Sequence, residues 1–164
     1  MHENLGKAPP PFPPEFEIFE PAPSQVGLGE ALDWLSARCA ASALSETGTF
    51  ALTLSLDEML SNSLMHGYAG IAQDDPAGFA PRVRIGYRRM PQGAELRIQD
   101  NGCEFDPTRY ETREQDVSLE DAEIGGHGIR LMRALLVSMH YRRQDGWNES
   151  VLTASDDESH RSGE

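Results

Sequence analysis

Glu58, Asn62 and His66 recur at four-residue intervals along a helix-forming stretch, Glu-Met-Leu-Ser-Asn-Ser-Leu-Met-His. A spacing of four drifts by only about 40° per step in an α-helix. A carboxylate, an amide and an imidazole, groups suited to acid–base and metal chemistry, therefore share one face. Leu52, Leu56, Leu60 and Leu64 keep the same rhythm on the opposite side. One face reads as core and the other as a site.

A second candidate lies in Ile98-Gln99-Asp100-Asn101-Gly102-Cys103-Glu104-Phe105-Asp106-Pro107. Side chains alternate along a strand, so Asp100 follows Leu96 and Ile98 on one face, a carboxylate at the end of an apolar row. The exocyclic amino group of a purine would supply the donor it needs, with Gly102 letting the backbone approach closely. The alternative is a simple turn closing the strand. A third candidate, Gly125-Gly126-His127-Gly128, runs directly into an apolar-periodic stretch that begins at Ile129. Free amides and the positive end of a helix dipole favour a phosphate there, although glycines also join elements where no ligand binds.

The elements that must position these groups follow from periodicity. A short strand is expected over Phe16–Phe19, then a helix from Ser24, its N-cap, to Ala43, and a second from Thr49 to Met65. Residues 82–90 and Ala94–Gln99 alternate around Pro91-Gln92-Gly93, the pattern of a hairpin. A helix over Gly128–Ser138 precedes two strands, Met139–Gln144 and Glu149–Ala154, joined by a turn at Asp145-Gly146, with Trp147 and Asn148 marking that turn. The fold class is α+β: a two-layer sandwich with a mostly antiparallel, mixed sheet and helices on one face.

Composition narrows the function. The 164 residues, 38% of them hydrophobic, fit one domain over 16–155. The chain lacks an apolar run long enough to span a bilayer and lacks the pattern of a signal peptide, so a cytoplasmic protein is expected, with no membrane contact. Cys39 and Cys103 have neither disulfide-framework nor zinc-ligand spacing. A net charge of -13 argues against direct nucleic-acid binding and for a protein partner. Residues 1–15 form a Pro-rich N-terminal tail whose 8–14 stretch is extended polyproline, either a partner-docking segment or only a tail. Residues 156–164 are expected to be a disordered acidic tail.

Taken together, Glu58-x-x-x-Asn62-x-x-x-His66-Gly67, Asp100-x-Gly102-x-x-Phe105-Asp106-Pro107 and Gly126-x-Gly128-Ile129 resemble the N, G1 and G2 boxes of the GHKL (Bergerat-fold) ATP-binding superfamily over about residues 25–155. The Asn62-Ser-Leu-Met-His66-Gly67-Tyr68 and Phe105-Asp106-Pro107 segments look most like the anti-sigma-factor serine/threonine kinases. That resemblance implies ATP and Mg²⁺ as ligands, with Asn62 on the metal and Glu58 as general base. It also implies Asp100 on the adenine amino group, Gly102 lining the base pocket, and Gly126 and Gly128 at the phosphates. Phe105, His127 and Ile129 stand within or beside the same boxes, and Thr153 is expected near the adenine. Residues 108–124 would be a lid.

The activity so implied is phosphoryl transfer to a Ser or Thr of an anti-anti-sigma (STAS-type) protein by a chain that also sequesters a sigma factor, possible homodimers included. Two other readings stay open: a non-catalytic ATP-binding module that sequesters its partner, and a histidine-kinase-type catalytic domain acting in trans. Some residues depart from a simple ATP site. The lid carries Glu111, Glu114, Asp116, Glu120, Asp121 and Glu123 against Arg109 and Arg113, with Arg130 and Arg133 the nearest compensating charges. His127 either meets phosphate or faces solvent, and His66 orients the helix end or hydrogen-bonds within the core.

Overall fold

The computed structural model describes residues 7–68, 79–109 and 124–158, and the side chains of 124–127 fall outside that description. Five strands form one sheet in the order β1-β2-β3-β5-β4, and every pairing is antiparallel. They are β1 (Glu17–Phe19), β2 (Val83–Met90), β3 (Gly93–Asp100), β4 (Ser138–Gln144) and β5 (Trp147–Ser155). Three helices, α1 (Gln25–Ala41), α2 (Glu46–Asn62) and α3 (Ile124–Leu135), complete an α+β two-layer sandwich. The mixed sheet expected from the sequence is purely antiparallel among the described residues.

Alternation decides the layers. Val83, Ile85 and Tyr87 of β2, Leu96 and Ile98 of β3 and Leu152 of β5 are buried on one face of the sheet, against Leu35, Leu52, Leu56, Leu60, Ile129 and Met132 from the helices. Each such side chain contributes about 1.5–3 kcal/mol when fully removed from water. Ser24 caps α1 as expected, its hydroxyl accepting from the Gly27 amide at 3.1 Å. The β4–β5 hairpin turns on Asp145 (φ 52°) and Gly146 (φ 80°), the two left-handed residues that an Asp-Gly turn supplies. Trp147 and Asn148 therefore belong to β5 rather than to the turn.

Several boundaries differ from expectation. α2 starts at Glu46, capped by Ser45, and stops at Asn62, and residues Ser63–Gly67 form a π-helical turn instead of the helix's last turn. His66 thus stands on the π turn, not on α2. α3 begins at Ile124, so Gly126, His127 and Gly128 are inside the helix rather than in a loop before it. Glycine's low helix propensity made that stretch look like a loop, but Ile129 and Met132, buried to 1% and 0% exposure, anchor the helix by packing. Of the lid expected over 108–124, Thr108 and Arg109 belong to a 3₁₀ turn over Pro107–Arg109, Ile124 opens α3, and 110–123 lie outside the described residues.

Neither end of the described chain is a loose tail. Residues 7–12 lie across the sheet face opposite the helices, where the Lys7 and Pro10 carbonyls accept from Trp147 and Gln99. Asp156 accepts from the Ser45 amide at 2.9 Å and pairs with Arg89 at 2.8 Å. Residues 159–164 lie outside the description. Among the described residues, no helix is long and apolar enough to cross a membrane.

Candidate functional site

Asp100 ends β3 with its side chain on the helix-facing side, buried to 6% exposure. Burial holds its pKa above the usual range, against the opposing pull of Asn148, the Gly102 amide, Ser63 and the more distant Arg143. Oδ1 accepts from the Asn148 side-chain amide at 2.9 Å and the Gly102 amide at 3.0 Å, and Oδ2 lies 3.1 Å from the Ser63 hydroxyl. An ionised carboxylate has about four acceptor positions. Three are used among the described residues, and the fourth, on Oδ2, is the kind of position an exocyclic amine could fill.

Two of these partners escaped sequence reasoning. Ser63 is the residue after Asn62, and its bond joins the end of α2 to the end of β3. Asn148 sits opposite Asp100 in the β3–β5 register. Its Oδ1 accepts from Arg143 at 2.8 Å and from the Tyr141 hydroxyl, and its Nδ2 also donates to the Cys103 carbonyl at 2.7 Å. The only signal in the sequence was alternation: with the hairpin register known, Asn148 must share the face of Asp100.

The loop after β3 packs back on the π turn. The Cys103 amide donates to the Gly67 carbonyl at 2.7 Å, and a Cβ on Gly102 would stand 2.8 Å from that same oxygen. Gly102 is required there for close approach. Phe105 is half-buried against the core, its amide 3.4 Å from Asn148 Oδ1. Asp106 accepts from the Thr108 amide at 2.9 Å, and Arg133 of α3 donates to the Pro107 and Thr108 carbonyls at 3.0 and 2.9 Å. Arg133 is thus committed to the loop backbone.

Glu58 and Asn62 project half-buried from α2, about one turn apart. The Glu58 carboxylate rests against Gly128 of α3, where an added Cβ would overlap it. Burial, and then the neighbouring Asp57 charge, raise the Glu58 pKa. A carboxylate so shifted is better matched to accepting a proton near neutral pH. The first-turn amides of α3, up to Gly126, have no intrahelical acceptor, whereas the Gly128 amide falls beyond that turn. The His127 side chain lies outside the description.

Three expected site residues are placed elsewhere. His66 is exposed on the π turn, so it does not hydrogen-bond within the core. Ile129 is core packing, buried to 1% exposure. Thr153 pairs with Glu95 on the outer face, five residues along β5 from Asn148, which is about 16 Å of strand. It lines a groove with Met90, Gly93 and Ser155 at the other end of the sheet. Its distance removes it from the Asp100 end of the site.

Asp100 and Ser63 therefore mark one end of the site, Asn62 its middle, and Glu58 with the start of α3 its other end. Among the described residues no group of three His, Cys, Asp or Glu side chains could hold a metal by itself. A hard divalent cation here would need oxygens from a bound phosphate, with Asn62 as a protein ligand.

The family model for the histidine kinase-like ATPase domain matches residues 19–154. The serine/threonine-protein kinase BtrW of Bordetella bronchiseptica is 35% identical over 125 residues, which cover 76% of this chain and 83% of that protein.

Proposed function

This chain belongs to the histidine kinase-like ATPase domain family, and from that membership we propose that it is an ATP-dependent protein serine/threonine kinase. Its role is that of an anti-sigma regulatory factor that phosphorylates an anti-anti-sigma, STAS-type partner and sequesters a sigma factor in a partner switch. The similarity to a serine/threonine-protein kinase over most of both chains supports the kinase reading. The observation that carries it is the seating of Glu58 against Gly128 at the start of α3, one turn from Asn62. Nucleotide binding alone has little need of a carboxylate in that position.

In this reading Asp100 accepts from the adenine amino group, and Ser63 and Asn148 fix the orientation of its carboxylate. The free amides at the start of α3 face the phosphates. Asn62 would supply one oxygen to Mg²⁺, which would neutralise phosphate charge when bound. Glu58 accepts the proton of the attacking Ser or Thr hydroxyl. Positioning and charge neutralisation then account for most of the rate.

The test is incubation with labelled ATP and a candidate anti-anti-sigma protein. Acid-stable label on a Ser or Thr of the partner is expected. A stable complex without label would leave only the sequestering module, and acid-labile phosphohistidine would favour the histidine-kinase type.

A further inference from the structure

The segment Lys7–Phe12 lies outside the span shared with the family, residues 19–154, yet it is fastened directly behind Asp100. Gln99 and Asp100 are consecutive residues of β3 and face opposite sides of the sheet, and their β5 partners are Glu149 and Asn148. On the helix side Asp100 bonds Asn148. On the outer side Gln99, with no exposure to solvent, donates from Nε2 to the Pro10 carbonyl at 2.9 Å and to Glu149 at 2.6 Å. Trp147, the next outer-face residue of β5, donates from Nε1 to the Lys7 carbonyl at 3.0 Å. Lys7 also pairs with Asp145 of the adjoining turn at 3.6 Å.

The rest of the strap is cradled. Phe12 lies over Gly86, where an added Cβ would come within 2.7 Å of its ring, and the Arg84 guanidinium stacks 4.9 Å from its centroid. Proline restricts the free segment to extended conformations, so little entropy is lost on docking. If the strap lifted, the Gln99 and Trp147 donors would lose acceptors at the strand ends that hold the Asp100–Asn148 pair.

We propose that residues 7–12 are a positioning clamp for the nucleotide site, such that docking of the strap and binding of Mg-ATP strengthen each other across the sheet. The inference rests on the reading of Asp100 as the purine acceptor. Coupling between two sites is reciprocal: whatever factor the docked strap adds to ATP affinity, ATP adds to strap docking.

Lys7 is the sole lysine of the 164-residue chain, so a lysine-specific endoproteinase cuts this chain at one bond and reports strap release. Saturating Mg-ATP is expected to slow that cleavage by about fivefold or more, the lower end of ordinary allosteric coupling. In the Gly86→Val variant, which wedges Phe12 off the sheet, cleavage should accelerate and the Mg-ATP Kd rise by a similar factor. Trp147→Phe, which removes the indole donor together with part of the buried ring beneath Arg82, should shift both in the same direction. Binding of Mg-ATP with no change in wild-type cleavage would overturn the clamp and leave the site reading intact. Failure of the wild type to bind Mg-ATP would overturn both.

Discussion

The Glu58 carboxylate lies against the Cα of Gly128, so closely that any side chain at position 128 would occupy its place. The glycine that the sequence suggested for phosphate contact thus has a steric duty toward the proposed base. Gly128→Ala should displace the carboxylate and lower phosphoryl transfer by about 100-fold, the lower range for loss of a general base, with a smaller change in Mg-ATP affinity. Adding Glu58→Asp, one methylene shorter, should recover part of the loss. Single-turnover transfer with the single and double variants measures both effects.

The base should also carry a pH signature. As the proposed base, Glu58 would act only when ionised, and burial together with Asp57 raises its pKa. Transfer should therefore fail on acidification above the ordinary glutamate value of about 4.3. Asp57→Asn removes the repelling charge, lowers that pKa and moves the acid limb of the kcat profile to lower pH. The raised pKa also means that Glu58 favours folding when protonated and loses that contribution as pH rises through its folded value. Glu58→Gln should accordingly melt higher than wild type at neutral pH while transferring no phosphate, and the advantage should vanish below the glutamate range.

Asn148 orients Asp100 while accepting from Arg143 and Tyr141. Asn148→Leu keeps the branched side-chain shape, at a larger volume, but removes these bonds. A net hydrogen bond is worth about 1 kcal/mol and an unsatisfied buried group somewhat more, so Mg-ATP affinity should fall by about tenfold and discrimination against GTP should narrow. Competition titrations with the two nucleotides check this.

Asp156 ties the end of β5 to the start of α2. Burial works to raise its pKa, but the Ser45 amide and Arg89 outweigh that and hold it below the usual range. Its contribution is therefore present above the unfolded aspartate pKa and lost as pH falls through the lower folded value. Asp156→Asn should cost about 1 kcal/mol at neutral pH in a urea unfolding series, with the difference closing below the ordinary aspartate range.

What could be read beforehand was what short-range pattern encodes. The Leu52, Leu56 and Leu60 rhythm marked the buried side of α2, and the alternation through Ile98 gave β3 and the direction of Asp100. The π turn was hidden, because nothing in Ser-Leu-Met-His-Gly distinguishes a wide turn from another turn of α-helix, and that misplaced His66. Gly125–Gly128 read as loop because propensity opposes helix there, while the packing of Ile129 and Met132 is a tertiary effect. Ser63 and Asn148 became visible only through long-range pairing. The proline-rich start gave no hint that its acceptors would meet Gln99 and Trp147, since its own sequence specifies extension and not the surface it covers.

Asn62 stands between the Glu58 turn of α2 and the Ser63–Asp100 bond, where the proposed metal and nucleotide sites meet. Isothermal titration of Mg-ATP into wild type, Glu58→Ala and Asn62→Ala tests this. Wild type and Glu58→Ala should bind with similar affinity, and Asn62→Ala should show no measurable binding. Unchanged affinity in Asn62→Ala would contradict the assignment of the metal and, with it, the arrangement of the nucleotide along α2.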